Sequence, residues 1–246
     1  MSWKSNRNPM FRSQFSESIF DAKYKHEGAS NWQELAHTLV EDVCRENMTK
    51  SEKEELKDHI TNLRFIAGGR YLFYAGKKRK FFNNCFLLRA EEDTREDWAN
   101  LSWKSESCLM TGGGIGIDYS VYRPRGSMLA GTGGTASGAV EKARMINELG
   151  RSVMQGGSRR SAIYASLRYD HGDAQEFLTS KNWHNMPIGN SGYTLFDAKQ
   201  DDFNFPAPLD MTNISLNYNT KWLMDYWETG DYGETFLLNC QQALST

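Results

Sequence analysis

The sequence predicts an α/β protein led by a small helical domain, and three observations carry that prediction. Apolar residues recur at helical spacing between Leu35 and Leu63, a strand-type apolar run appears at FFNNCFLL (81 to 88), and strand-like and helix-like segments then alternate. The expected division is a helical domain over 1–66 and an α/β domain over 67–246.

In the first domain, Ser30 and Gln33 have capping-box spacing ahead of Leu35, Leu39 and Val43, and Thr49 and Glu52 repeat the device ahead of Leu56, Ile60 and Leu63. FFNNCFLL reads as a buried strand, and Thr94 caps a helix through Trp98, Leu101, Ser105 and Cys108. Twelve of the 21 glycines then fall between Gly112 and Gly157, ten of them in the clusters GGGIG, GTGGTASG and QGGSRRSA. Between them lie a strand-like IGIDYSVY and a helix with Val140, Ala143, Ile146, Leu149 and Val153 on one face. AIYASLR (162 to 168) reads as a strand and DAQEFLTSK (173 to 181) as a helix. From 182 to 220 the chain is polar and poor in helix signals, apart from the period-two stretch MTNISLNYN. The last segment, FLLNCQQALST, is helical in pattern and runs to the final residue without glycine or proline, which suggests a chain cut short.

Composition limits what such a chain can do. With 246 residues and 39% hydrophobic content it can build a core without disulfide staples. Its 29 basic and 31 acidic residues create no global field for nucleic acid or anionic lipid. The first residues lack the apolar core of a secretory signal and no run reaches the ~18 apolar residues of a membrane span, so a cytoplasmic protein without membrane or direct nucleic-acid contact is expected. The four cysteines form no C-x-x-C pair and the five histidines no H-x-x-x-H pair, so no metal site is predicted. In a reducing compartment a disulfide would be transient and catalytic.

Several motifs admit two readings. GTGGTASG fits G-x-G-x-x-A through Gly131, Gly133 and Ala136, but no acidic ribose ligand follows at the dinucleotide-site spacing. Its small residues suit either a phosphate at a helix N-terminus or a plain tight turn. Gly76-Lys77-Lys78 is no P-loop, since Tyr71 and Lys78 occupy positions reserved for glycine and a hydroxyl residue. KKRK (77 to 80) reads as a solvated turn. Arg159 and Arg160, after two glycines, offer bidentate donors to a phosphate or base edge, or a surface ion pair; Arg123 is similar. Asn213 and Ser215 share one strand face, Asp93 either caps a helix or binds a ribose hydroxyl, and Cys85 is either a small buried hydrophobe or a redox thiol.

In order, NNCFLL, EEDT, GGGIGID, YRPRG, GGTASG, QGGSRRSA, the D-x-x-x-F helix from Asp173 to Phe177, and MTNISL resemble the N-terminal part of ribonucleotide reductase, most of all its adenosylcobalamin-dependent, class II, branch. The resemblance runs from about Ser30 to the end. It implies a ten-stranded α/β barrel of two parallel halves, incomplete in this chain, that reduces ribonucleotides to 2′-deoxyribonucleotides by radical chemistry. Cys85 matches the N-terminal member of the redox-active cysteine pair. Asp93, with Glu92 as its alternative, matches the ribose ligand of a deoxynucleoside triphosphate effector, and Arg123 a phosphate ligand. Gly133 and Gly134 fall in the first specificity loop and Arg159 and Arg160 in the second. Asn84, Gly113, Gly114, Asn213 and Ser215 fall at substrate positions.

Departures from the family are equally specific. No Asn-Pro-Cys-x-Glu motif, which carries the thiyl-radical cysteine, occurs in the chain; Ala130 stands where some relatives have a basic residue; and Cys240 matches neither missing cysteine. The resemblance therefore implies a split protein, inactive alone and completed by a second polypeptide. That partner would carry the thiyl cysteine and most cobalamin contacts, with a thioredoxin-type reductant and a homodimer as further partners. The short N-terminal extension leaves no room for an ATP-cone. A non-catalytic nucleotide-binding regulatory subunit, and part of an iron-dependent class I large subunit, are the alternatives.

Overall fold

The computed structural model describes residues 11, 13–44, 46–131, 133–153, 161–190 and 192–245. The chain divides into two compact units, Met1–Asn84 and Cys85–Thr246.

The first unit holds α1 (Gln14–Lys23), α2 (Trp32–Val43), α3 (Lys50–Thr61) and α4 (Gly69–Tyr74). Thr49 and Glu52 form the expected capping box on α3. On α2 the N-cap sits one residue later than expected, and the reciprocal bond comes from the residue before it. Asn31 is the N-cap and accepts from Glu34 N–H at 2.9 Å, while Ser30 donates its N–H and hydroxyl to the Glu34 carboxylate at 2.8 and 2.7 Å. An ionised carboxylate gains from the helix dipole and from charge-assisted hydrogen bonds, which the Gln33 amide cannot match. The Ser30 hydroxyl and N–H hold the Glu34 carboxyl below its ordinary range.

Trp32, Leu35, Leu39, Val40, Ile60, Leu72 and Ala75 make this unit's core, and Trp32 Nε1 donates to the Ile60 carbonyl at 3.0 Å. Because Leu72 and Ala75 belong to that core, residues 67–84 group with the helices, and the expected boundary at 66 moves to 84. Six-residue α4 is too short to display a periodicity. KKRK lies in the turn beyond it, where Lys80 pairs with Asp42 at 2.6 Å and Lys77 sits 3.3 Å from the Phe73 ring centroid.

The second unit runs β1 (Cys85–Arg89), α5 (Arg95–Met110), β2 (Gly114–Asp118), α6 (Ala139–Ser152), β3 (Ile163–Arg168), α7 (Ala174–Thr179), a 3-10 turn (Trp183–Asn185), α8 (Leu195–Asp201), β4 (Thr212–Asn217), α9 (Thr220–Thr229) and α10 (Glu234–Ser245). All three strand pairs are parallel and their spatial order, β1-β2-β3-β4, is their chain order. Strands that advance one position per crossover build a barrel wall, whereas a doubly wound sheet reverses direction midway. The α/β expectation holds, and the described strands form an incomplete barrel.

One face of the sheet carries Ile115, Ile117, Ile163, Ala165, Leu167 and Leu216 into a core with Leu101 and Leu109 of α5, Val140 and Ile146 of α6, and Phe177 of α7. Thr94 caps α5 as expected. The strand within FFNNCFLL is shorter than expected and is not buried on both faces: β1 begins only at Cys85, and Cys85, Leu87 and Arg89 are exposed. Helix α8 occupies part of the stretch that appeared poor in helix signals, and α9 begins at its last residue. Thr194 and Asp197 make a capping box for α8, and Asn219 caps α9, which stops at Gly230 in the left-handed region (φ 72°).

A buried ionic cluster ties the end of α6 to the start of β4. The Asp210 carboxylate, 1% exposed, accepts from Arg151 at 2.6 and 2.9 Å and from Lys199 at 2.9 Å. Asn147 Oδ1 accepts from Met211 N–H at 3.0 Å and the Thr212 hydroxyl at 2.9 Å. Burial pushes the Asp210 carboxyl up, but the bonds from Arg151 and Lys199 outweigh it and hold the group below its ordinary value.

Candidate functional site

Two sites lie in the second unit, and the strand register builds the first. Paired residues of a parallel sheet share a face. The face away from the helices therefore carries Cys85 beside Gly114, then the row Leu87, Gly116, Tyr164 and Asn213, then Arg89, Asp118, Ser166 and Ser215. Cys85 is an exposed free thiol.

The central strand supplies glycines where its neighbours supply side chains. A Cβ on Gly114 would lie 3.8 Å from Cys85 Sγ, and one on Gly116 would lie 3.5 Å from Tyr164 and 3.7 Å from Leu87. The two glycines thus leave a trough over β2, walled by Leu87 and Tyr164, with the thiol at one end. Asn213 and Ser215 share this face, but β4 stands three strand spacings, ~14 Å, from β1. Cys85 and Gly114 are together; Asn213 and Ser215 face the same space from its far side. Gly113 is buried just before β2, and Asn84 is exposed in the first unit.

The second site lies past the strand ends. Arg123, following β2, donates its N–H to Asp93 Oδ2 at 3.2 Å, its Nε to the same oxygen, and Nη2 to the Asp93 carbonyl at 3.2 Å. Residues 126–131 and 133–136 form the arms of a hairpin over this pair, with Leu129 N–H donating to the Gly134 carbonyl at 2.8 Å, Ala136 N–H to the Ser127 carbonyl at 2.8 Å, and Gly126 N–H to the Ala136 carbonyl at 2.9 Å. Together they enclose a cleft of about 240 Å³ lined by Asp93, Thr94, Arg95, Trp98, Arg123, Leu129 and residues 135–138. Of the two acids considered for this position, Asp93 lines the cleft, whereas Glu92 lines a neighbouring depression with Glu91 and Asp97. Gly133 (φ 69°) and Gly134 turn the hairpin, and its cleft wall is made by Leu129, Thr135, Ala136 and Ser137.

GTGGTASG does precede a helix, as expected, but the first amide of α6 is not open to a phosphate: the chain's own carboxylate, Asp173 Oδ2, already accepts from Ala139 N–H at 2.8 Å. Arg159 and Arg160 lie outside the described residues.

Sequence reasoning missed Arg95 and Tyr164. Arg95 is a cation in the first turn of α5, against the helix dipole, and an unfavourable placement of that kind is a readable signal. Tyr164 is an exposed position of a strand whose helix-facing residues are apolar, and only the register shows that it lies beside a glycine. Two buried groups stand behind the cleft. The Lys142 ammonium donates to the Trp98 carbonyl and the Ser102 hydroxyl, and burial lowers its pKa to about 8. Burial pushes the Tyr122 hydroxyl, whose ring packs edge-on against Trp98 at 4.8 Å, far up. Among the other thiols, burial raises Cys108 and leaves it a poor thiolate.

A consecutive parallel wall with an open, thiol-bearing face and an acid–arginine cleft at its strand ends defines part of an α/β barrel built around a central site. The sequence places that barrel. Residues 83–196 match the family described as ribonucleotide reductase, barrel domain. A vitamin B12-dependent ribonucleoside-diphosphate reductase of Mycobacterium tuberculosis is 33% identical over 142 residues, covering 58% of this chain and 20% of the relative. The protein of that name from Thermoplasma acidophilum is 28% identical over 193 residues, covering 72% and 25%. The ribonucleoside-diphosphate reductase large chain of Schizosaccharomyces pombe is 36% identical over 114 residues, covering 46% and 14%. In fold, the chain is similar to the Actinobacillus ureae class Id ribonucleotide reductase alpha subunit, with a TM-score of 0.73 and 16% identity, covering 95% of this chain and 39% of that one. The chain thus spans a quarter or less of these three curated relatives' length. Among the described residues no helix is long and apolar enough to cross a membrane.

Proposed function

We propose that this chain supplies the N-terminal part of a ribonucleotide reductase: the first redox cysteine, part of the substrate face and the allosteric nucleotide cleft. The observation that carries the proposal is the exposed Cys85 thiol at the end of the glycine-floored trough, on the barrel-interior face of the sheet. A thiol there is positioned to give up an electron and proton while forming a disulfide with a second cysteine, the two thiols together supplying the two electrons that reduction of a ribose carbon requires. Gly114 and Gly116 let the sugar approach the backbone, and Tyr164 and Asn213 border it. In the cleft, Asp93 is placed for a ribose hydroxyl of a deoxynucleoside triphosphate, and Arg123 and Arg95 for its phosphates.

The thiyl-radical cysteine and the partner of Cys85 are assigned to a completing polypeptide that closes the barrel. Adenosylcobalamin, a form of the vitamin B12 in the names of relatives, would supply the radical. The side chains on the described sheet face suit a nucleotide, so this reading gives the corrin no ligand in this chain and assigns its contacts to the completing polypeptide. Relatives named as large chains match at similar identity, which keeps an iron-dependent radical source as the second reading. Reconstitution tests both. The chain and its completing polypeptide should reduce a ribonucleotide with a dithiol and adenosylcobalamin, and Cys85→Ser should stop turnover with thioredoxin-type reductants. Unaffected turnover in Cys85→Ser would leave only the non-catalytic, regulatory role.

A further inference from the structure

At the neck of the hairpin over the cleft, which the Gly126–Ala136 bond and the Arg125 guanidinium on Glu141 and Glu176 also tie, one buried carboxylate joins the two backbone segments that flank it. Asp173 occupies the N-cap position of α7, where an aspartate ordinarily caps its own helix, yet its side chain makes no such bond. Both oxygens go elsewhere: Oδ1 accepts from Arg125 N–H at 2.9 Å and Oδ2 from Ala139 N–H at 2.8 Å. Those two amides flank the hairpin, one just before residue 126 and the other just after Gly138. Asp173 is 5% exposed, so water competes little for either bond.

The fit around this contact is close. Gly138 (φ 90°) gives α6 no side-chain cap, and a Cβ there would lie 2.6 Å from Asp173 Oδ2 and 2.8 Å from Arg125 N. Only glycine accommodates both the left-handed backbone and the carboxylate. The two residues before Asp173 dock on the same segment. His171 Nδ1 accepts from Asp173 N–H at 3.0 Å, which leaves Nε2 as the donor to the Tyr122 carbonyl at 2.6 Å. A Cβ on Gly172 would lie 2.7 Å from Pro124 Cγ.

Residues 171–173 therefore clamp 122–125, the segment bearing Arg123, while Asp173 also holds the start of α6. The two walls of the cleft, Arg123 on one side and residues 135–138 on the other, are thereby set at a fixed separation. Resting on the nucleotide reading of the cleft, we infer that Asp173 is a positioning residue for it, setting the hairpin neck without touching the ligand.

The test is dTTP binding with Mg²⁺ by calorimetry, together with amide hydrogen exchange, on the wild-type chain and Asp173→Asn. An asparagine can accept from one of the two amides but turns its NH₂ toward the other. The expected result is a dTTP affinity lower by about tenfold or more, and faster exchange over 126–139, with the four strands exchanging at wild-type rates. Unchanged affinity in a folded Asp173→Asn protein overturns the inference. If that variant does not fold, the wild type decides. The Arg125 and Ala139 amides should exchange far more slowly than the hairpin tip, and more slowly still with dTTP; exchange as fast as the tip overturns the inference. A wild-type chain that binds no dTTP but protects both amides overturns the nucleotide reading instead, and with it the ligand assigned here.

Discussion

Replacing Lys142 by methionine should remove a pH dependence of stability that the wild type carries between pH 8 and 10. Lys142 is fully buried on α6, and burial lowers its pKa from the ordinary 10.5 to about 8. At about 1.4 kcal/mol per pH unit of displacement, keeping the ammonium charged in the folded protein costs roughly 3 kcal/mol. The sign follows from proton counting. Between pH 8 and 10.5 the unfolded chain binds a proton at this lysine that the folded chain has released, so stability rises with pH through that window. Between pH 7 and 9.5 the gain is about 2 kcal/mol.

Other groups titrate nearby. The raised Cys108 and Tyr122 act in the opposite direction as their unfolded forms ionise, and the lowered Lys181 acts in the same direction. The difference between wild type and Lys142→Met cancels these and isolates Lys142. The variant should leave no orphaned acceptor, since the Ser102 hydroxyl lies 3.5 Å from the Trp98 carbonyl that Lys142 leaves. Urea unfolding at pH 7.0, 8.0, 9.0 and 9.5 should find the variant at least as stable at pH 7, with the wild type closing the gap by about 2 kcal/mol at pH 9.5. Parallel stability curves for the two proteins would refute the reasoning.

Asp93→Ala should weaken dTTP binding by roughly 10- to 100-fold, while the loss of its partly exposed pair with Arg123 costs less than ~1 kcal/mol of stability; calorimetry and urea unfolding read the two separately. Gly116→Ala should stay within ~1 kcal/mol of wild-type stability, because its Cβ meets Tyr164 and Leu87 at ordinary contact distances, yet reduce turnover of the completed enzyme by narrowing the trough. Asp210→Ala should cost about 3 to 5 kcal/mol, since Arg151 and the nearly buried Lys199 lose their shared partner; a thermal melt unchanged from wild type would contradict this.

What the sequence disclosed follows from how local each signal is. IGID, AIYASLR and MTNISLN pair apolar positions at period two, and β2, β3 and β4 form there. Thr49 and Thr94 act as caps because capping is decided within four residues. Helices α4 and α8, of six and seven residues, span too few turns to show a face. The redox reading of Cys85 came from the order of motifs around it; its exposure was not legible, because that depends on which sheet face the helices cover. The Asp93–Arg123 pair joins residues 30 apart and Asp173 reaches Arg125 across 48, separations at which no spacing rule operates. Of the two readings of GTGGTASG, the phosphate at a helix N-terminus meets a distant carboxylate that already holds the first amide.

The central claim is that Cys85 is a redox cysteine of a reductase barrel that a second polypeptide completes. The most direct test is to capture this chain from its native source, identify co-purifying polypeptides by mass spectrometry, and assay the complex for ribonucleotide reduction with wild-type and Cys85→Ser chains. The account predicts a partner bearing an Asn-Pro-Cys-x-Glu segment and turnover that Cys85→Ser abolishes. Turnover by this chain alone, or a complex indifferent to Cys85→Ser, would contradict it.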